Sequence, residues 1–171
     1  MSNHCDLIWY NGKIVPFQEA TTHVMSHILH YGSGVFEGIK CYSTPNGPAI
    51  FKLDEHIDRL YRSLKAIDID PGINPQEMLG ISEEVVQRNL SLLEDGEDYW
   101  IFQRVTRGQN VVGRELWQSG GPTVIVECTP LPIKTRANLF HDGIDIHIPS
   151  IRRIPPECLS PSVKSHNYLN L

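Results

Sequence analysis

The feature that most constrains the fold is the pair Asn11-Gly12, which lies between two short, mainly apolar runs. Both central residues of a type I′ turn need a positive φ, and Asn-Gly is the pair best suited to that conformation. The flanking runs, Leu7–Tyr10 and Lys13–Val15, have the composition of short strands. The chain therefore begins with a predicted β-hairpin.

A second hairpin and two helices follow in the predicted order. The hairpin pairs residues 38–42 with residues 49–53 across Asn46-Gly47. Asp54 is the expected cap of the first helix, and Asn74-Pro75 has the cap and first-turn proline that begin the second. Apolar residues at helical spacing predict the inward faces. They are Ile57, Leu60, Tyr61 and Leu64, then Met78, Leu79, Val85, Val86 and Leu90.

Two β-rich runs, residues 100–106 and 123–129, complete the pattern. The order strand, strand, helix, helix, strand, strand predicts an α+β fold with a mainly antiparallel sheet and two packed helices. The run Thr129-Pro130-Leu131-Pro132 interrupts that pattern and marks a predicted boundary. We expect an N-terminal small domain at 1–131, an interdomain linker at 132–142, and the start of a second, α/β domain at 143–171.

The last segment carries two local predictions. Residues 144–148 alternate apolar and polar side chains, which predicts a strand, and residues 165–171 resemble the first turn of a helix. A chain seldom ends one turn into a helix after so elaborate a loop. We therefore expect a truncated sequence and, if the 171 residues were the whole polypeptide, weak or absent catalysis.

Charge and composition exclude several classes of partner. The net charge is −5 and the pI is about 5.9, whereas nucleic acids and anionic membranes need a basic surface. No apolar stretch has the length of a membrane span, and the first residues lack the pattern of a signal peptide. The four cysteines are scattered, without metal-binding spacing. A reduced, cytoplasmic compartment is the simplest expectation.

Three histidines raise the question of a metal site. His23, His27 and His30 are spaced to share one face of a helix, and Glu37 could add a carboxylate. The segment has no His-Glu-x-x-His pattern, however. Ordinary structural hydrogen bonds are the preferred interpretation, and no metal is predicted.

Two further features carry potential chemistry. Residues 31–38 contain three glycines, which let the backbone approach a ligand or another chain, although from composition alone tight turn packing is the preferred interpretation. Lys164 lies in a mostly apolar, proline-rich setting, and a neutral lysine amine is a nucleophile for carbonyl compounds. Surface lysines are common, so the surrounding pattern must decide.

Three blocks of sequence supply that pattern. They are Val24-Met25-Ser26-His27-x-Leu29-His30-Tyr31-Gly32-x-x-Val35-Phe36-Glu37-Gly38-Ile39, Phe51-x-Leu53-x-Glu55-His56-x-x-Arg59-Leu60-x-x-Ser63, and Val163-Lys164-Ser165-x-Asn167-Tyr168-Leu169. In this order they resemble the branched-chain amino-acid aminotransferases, which are class IV, fold-type IV enzymes dependent on pyridoxal 5′-phosphate. The resemblance spans nearly the whole chain, with residues 67–154 matching only loosely.

The resemblance implies a role for each matched residue. Lys164 would hold pyridoxal phosphate covalently and then move the substrate's proton. Arg59 would pair with the cofactor phosphate, and Tyr168 would bond its phenolic oxygen. Tyr31, Phe36 and Gly38 would shape the pocket for the substrate side chain. The family transfers an amino group from an amino acid to a 2-oxo acid, usually 2-oxoglutarate, and works as a homodimer.

One departure from the family pattern leaves the substrate open. Trp100 and Phe102 fall where the branched-chain enzymes usually carry a Tyr-x-Arg pair that handles the substrate carboxylate. The run Val105-Thr106-Arg107-Gly108 instead resembles the D-amino-acid and (R)-amine transaminases of the same fold type. These activities, a lyase acting on an aminodeoxychorismate-like compound, and a catalytically inactive fragment remain alternatives.

Overall fold

The computed structural model describes residues 5–92, 97–110, 115, 118, 120–131 and 133–169, without the side chains of 92 and 133–135. Its main element is a six-stranded, antiparallel sheet in the order β2-β1-β6-β5-β3-β4. The strands are β1 (Leu7–Tyr10), β2 (Lys13–Pro16), β3 (Gly34–Thr44), β4 (Gly47–Ile50), β5 (Tyr99–Thr106) and β6 (Thr123–Pro130). The helices are α1 (His27–Tyr31), α2 (Leu53–Ala66), α3 (Pro75–Arg88) and α4 (Ile133–Asp142), with short 3-10 turns at Phe17–Glu19 and Leu90–Leu92.

The predicted turn and cap chemistry is present. Asn11 and Gly12 both have positive φ, at 47° and 96°, as their turn between β1 and β2 requires. Asn74 caps α3: its side chain accepts from the backbone N–H of Glu77, whose carboxylate accepts in return from the N–H of Asn74. These local signals are confirmed because each depends on residues that are neighbours in sequence.

Helices α2 and α3 cover one face of the sheet and create the core. Alternate residues of the central strands point towards them, which is why β3 and β5 alternate buried and half-buried positions. Apolar side chains fill the space between the layers, among them Ile39, Ile101, Val126, Ile57, Leu60, Leu64, Met78, Val85 and Val86. The α+β class with an antiparallel sheet and two packed helices is confirmed.

Several boundaries differ from the predictions. The second hairpin is longer on one side: β3 runs on to Thr44, and β4 ends at Ile50. Leu53 already belongs to α2, and Asp54 lies in the first turn instead of capping it. Lys52 precedes the helix with a φ of 50°, because the chain must reverse sharply between β4 and α2.

The segment after the sheet differs more from the predictions than the boundaries within the sheet do. Helix α4 occupies most of the stretch predicted as the interdomain linker, and the two domain bounds stay predictions. Residues 144–148 form no strand, and the side chains of Ile144, Ile146 and Ile148 are exposed. Residues 165–169 form no helix either; they include a bridge between Ser165 and Val35 of β3. A strand needs a pairing edge, and β3 offers one at Val35, whereas 144–148 pair with nothing in the described chain.

Candidate active site

Lys164 is fixed at the free edge of β3. Beyond the reach of β4, the start of β3 pairs with the last segment: the N–H of Phe36 donates to the carbonyl of Lys164 at 3.0 Å. The N–H of His166 donates to the carbonyl of Gly34 at 2.9 Å. On the other side, the N–H of Lys164 donates to Oγ of buried Ser63 at 3.1 Å. The backbone of Lys164 is therefore held by both the sheet and α2.

The side chain of Lys164 meets two of the predicted residues. Its Nζ donates to the hydroxyl of Tyr168 at 3.0 Å and lies 4.3 Å from the ring centroid of Phe36. The rings of Phe36 and Tyr168 lie 5.5 Å apart. Lys164, Phe36 and Tyr168 thus form one cluster, although Phe36 and Lys164 are more than 120 residues apart in the sequence.

Arg59 is held by a buried carboxylate. Its Nε and Nη2 donate to the two oxygens of Glu37 at 2.5 and 2.6 Å, and Nδ1 of His56 lies 2.8 Å from Oε2. The Glu37 side chain is fully buried, whereas that of Arg59 is 42% exposed. The hydrogen bonds to Glu37 raise the pKa of Arg59, and burial opposes this rise. The bidentate contact fixes the guanidinium plane.

Helix α2 organises this arrangement through its spacing. His56, Arg59 and Ser63 follow at intervals of three and four, so they share one face of the helix. That face meets Glu37 from β3 and the backbone of Lys164 from the last segment. One helix therefore positions both the predicted phosphate-binding arginine and the predicted catalytic lysine.

A cleft of about 410 Å³ opens beside these residues. Its lining contains four cationic side chains together with a serine and a tyrosine. The lining residues are Arg59, Arg62, Arg153, Pro161, Ser162, Val163, Lys164 and Tyr168. Such a lining suits a small anionic ligand, because guanidinium and ammonium groups donate charge-assisted hydrogen bonds to phosphate.

Tyr31 and Gly38, the other predicted pocket residues, have different contacts. Tyr31 ends α1, is 54% exposed, and packs its ring against His27 and His30 at 5.1 and 5.9 Å. A Cβ on Gly38 would lie 3.1 Å from Cε1 of Phe102. The room that Gly38 leaves is therefore filled by a side chain of β5.

The histidine segment lacks the shared helix face that a metal site would use. His23 precedes α1, and its Nδ1 accepts from the N–H of Met25, so the three histidines do not share a helix face. Glu37 is committed to Arg59 and His56. Within the part of the chain that the structure describes, no group of three His, Cys, Asp or Glu side chains could hold a metal ion.

His166 is a site residue that the sequence did not single out. Its ring packs on Phe36 at 4.9 Å, and its buried Nε2 has no hydrogen-bond partner in the described chain. Burial lowers its pKa to about 4, with further lowering from the charges of Arg104 and Lys164. Its position two residues after Lys164 was the available signal.

Comparison with known proteins identifies the group to which this arrangement belongs. Residues 34–171 match the family model described as amino-transferase class IV. The chain belongs to this family. The matched residues include Glu37, Arg59, Lys164 and Tyr168, so the cluster and its cationic cleft lie within the family domain.

Curated class IV relatives support the assignment. A provisionally named branched-chain-amino-acid aminotransferase of Methanocaldococcus jannaschii is 39% identical over 95% of this chain and 52% of its own length. The branched-chain-amino-acid aminotransferase of Escherichia coli K12 is 31% identical over 96% and 52%. The chain spans about half the length of the curated relatives it matches.

Solved class IV structures agree. The Escherichia coli branched-chain amino acid aminotransferase superposes with a TM-score of 0.83 at 30% identity, covering 97% of this chain and 53% of its own. The T.th. branched-chain amino acid aminotransferase, complexed with N-(5′-phosphopyridoxyl)-L-glutamate, gives 0.80 at 33%, covering 95% and 50%. The family resemblance inferred from the three sequence blocks is confirmed.

Proposed function

We propose that the protein is a pyridoxal-phosphate-dependent transaminase that transfers the amino group of branched-chain L-amino acids to 2-oxoglutarate. The observation that carries the proposal is Lys164: its Nζ lies 3.0 Å from the Tyr168 hydroxyl and 4.3 Å from the Phe36 ring, beside a cation-lined cleft. The names of the relatives supply the substrate class.

The residues present fit the cofactor. A phosphate needs several cationic donors, and Arg59, Arg62 and Arg153 line the cleft that also contains Lys164. The hydrogen bonds of Arg59 to Glu37 use Nε and Nη2, which fixes the guanidinium at the cleft. When bound, pyridoxal phosphate supplies an electron sink that stabilises negative charge at the substrate's Cα.

The roles proposed for this chain's own residues follow from their contacts. Lys164 binds the cofactor through Nζ and afterwards carries the proton at the substrate's Cα. Tyr168 orients Nζ through its hydroxyl, and the same hydroxyl would hold the cofactor's phenolic oxygen. Phe36 excludes water from the amine. In our proposal Tyr31 adds to the side-chain pocket, and Gly38 contributes by leaving the space in which Phe102 packs.

The second candidate, a D-amino-acid or (R)-amine transaminase, has weaker support. It depended on the run Val105-Thr106-Arg107-Gly108. In the structure, Arg107 donates to the backbone carbonyls of Ile67 and Asp68 and closes the turn after α2. Arg107 therefore has a structural role that is independent of the substrate.

We further propose that the protein is a cytoplasmic homodimer that binds neither nucleic acid nor membrane. Exposed apolar side chains around α1, namely Val24 and Leu29 beside Tyr31, are one described surface that suits pairing with a second copy. Of the described helices, none is long and apolar enough to cross a membrane. Light scattering on the natural polypeptide tests the dimer; a monomer at micromolar concentration contradicts it.

The decisive test of the reaction compares amino donors. The natural polypeptide that contains these residues is incubated with pyridoxal phosphate, 2-oxoglutarate and either L-valine or D-alanine, and glutamate is measured. Turnover of L-valine is the expected result. Turnover of D-alanine without L-valine overturns the branched-chain proposal in favour of the second candidate.

A further inference from the structure

The sheet face opposite α2 and α3 carries a second charged group beside the lysine cluster. Arg104 lies across from Phe36 in the register of β5 and β3, and Phe102 lies across from Gly38. Glu127 of β6 lies across from Phe102. Because side chains of a strand alternate between faces, these residues all project from the face that the helices leave uncovered.

One nitrogen of the Arg104 guanidinium already has a hydrogen-bond partner, and the ring of Phe102 supports the group. Its Nη1 donates to the carboxylate of Glu127, and its guanidinium carbon lies 4.5 Å above the ring of Phe102. In the described part of the chain, the hydrogen bonds of Arg104 use Nη1 alone. The Nε and Nη2 donors form a planar fork with the geometry that a carboxylate accepts in bidentate fashion.

This fork belongs to the same site as Lys164. The ring of Phe36, across from Arg104, lies 4.3 Å from Nζ of Lys164 and 4.9 Å from the ring of His166. The charges of Arg104 and Lys164 both lower the pKa of His166, after the larger effect of burial. Both cations therefore lie within electrostatic reach of one imidazole.

The substrates require a group of this kind. Amino acids and 2-oxo acids carry a carboxylate on the reacting carbon, and a carboxylate that leaves water needs hydrogen-bond donors or a cation to replace its hydration. Trp100 and Phe102 carry no charge. Arg104 is the cationic residue of β5. Arg107 follows the strand and donates to the backbone after α2.

We propose that Arg104 binds the substrate carboxylate through Nε and Nη2, and that Glu127 and Phe102 hold its guanidinium in place. The proposal rests on the transaminase function. Arg104 is thus the residue that would distinguish amino acids from amines without a carboxylate. The net charge of the Arg104–Glu127 pair is zero, so selectivity comes from the donor geometry more than from a general positive field.

The test is a calorimetric titration of the full natural polypeptide loaded with pyridoxal phosphate. The two probes are 4-methylvaleric acid, with which the T.th. relative has been solved in complex, and its uncharged amide. The variant Arg104→Gln/Glu127→Gln keeps the net charge of the pair. We expect the Kd of the acid to rise about 10- to 100-fold, and that of the amide to change by less than about 3-fold.

Arg104→Lys provides a second variant, which keeps the charge and its Glu127 partner but loses the fork. Its expected loss for the acid is smaller than that of the double variant. Unchanged binding of the acid, or an equal loss for acid and amide, overturns the proposal. If these results accompany a normal lysine-bound cofactor band and normal amino transfer, the transaminase proposal stands. If the wild-type protein shows neither band nor transfer, both proposals fail.

Discussion

Removing Arg59 should destabilise the fold because it leaves a buried carboxylate without its main partners. Glu37 is fully buried and receives two hydrogen bonds from Arg59 and one contact from His56. In Arg59→Met, only the contact with His56 remains. The substitution keeps the length of an unbranched side chain, so the lost interaction is electrostatic more than steric.

The size of the effect follows from burial. Breaking a fully buried ion pair by removing one partner costs about 3–5 kcal/mol, because the other charge stays in the interior. The Arg59 guanidinium is 42% exposed, and solvent screens part of the attraction. We therefore expect a loss of about 3 kcal/mol for Arg59→Met. Arg59→Met/Glu37→Met contains no buried charge and should lose only about 1 kcal/mol.

The assay is urea unfolding followed by circular dichroism, with the free energy of unfolding extrapolated to water. All proteins are measured without cofactor, because ligand binding adds its own stabilisation. Arg88→Met is the matched control: Arg88 donates to Glu84 four residues earlier on α3, and both side chains are exposed. Such a pair contributes about 0.3–0.5 kcal/mol.

We expect the double variant to be more stable than Arg59→Met. If Arg59→Met loses no more stability than Arg88→Met, the carboxylate of Glu37 does not depend on Arg59. Glu37→Met is measured as well. If the double variant loses as much as Arg59→Met and Glu37→Met together, the two residues do not interact, and the account of this pair is wrong.

Three further predictions concern the surroundings of the site. Ser63→Ala removes the acceptor for the N–H of Lys164, so it should cost about 1 kcal/mol and weaken pyridoxal phosphate binding. Ser82→Ala removes the acceptor for the side-chain N–H of Gln103; it should cost a similar amount and leave the affinity unchanged. Burial and nearby cations lower the pKa of His166 from 6.5 to about 4, so the unfolded chain takes up a proton before the folded one. The free energy of unfolding should therefore fall between pH 6.5 and pH 4, and this part of the fall should be absent in His166→Asn; an NMR titration of His166 near pH 6.5 would contradict it. Asn89→Ala should cost about 2–3 kcal/mol in chemical unfolding, because its buried amide bonds Asp6, Leu7 and Val85; a loss below about 1 kcal/mol would show that these bonds are not needed.

The parts of the fold that the sequence predicted depend on local chemistry. Asn11-Gly12 determines its turn, and Asn74-Pro75 with Glu77 begins α3, because these residues contact neighbours a few positions away. The prediction for residues 144–148 was wrong for the opposite reason. Alternating apolar and polar side chains suit the two faces of a strand, but they do not show whether the sheet has a free edge with which the segment can pair.

In the candidate site, too, the sequence indicated individual residues but not the contacts between distant elements. The sequence blocks indicated Lys164, Tyr168 and Phe36, and the structure places them in contact. The bidentate contact of Arg59 with Glu37 was missed because it joins a helix to a strand 22 residues away. No local pattern shows that α2 and β3 face each other at those two positions.

Arg104 was missed although its strand was predicted. Alternation along β5 places Trp100, Phe102 and Arg104 on one face, which the sequence shows. Only the register of β5 with β3 places Arg104 across from Phe36. Register depends on the whole sheet, so this neighbour could not be inferred from the strand alone.

The most direct test of the central claim is to locate the cofactor on the protein. The natural polypeptide is mixed with pyridoxal phosphate, its absorption spectrum is recorded, and borohydride reduction is followed by peptide mass mapping. Lys40→Ala, at an exposed position of β3, is the matched control for Lys164→Ala. We predict a lysine-dependent band that only Lys164→Ala abolishes, with the added mass on the peptide containing Lys164. A band that persists in Lys164→Ala, or an added mass on another lysine, would contradict the account.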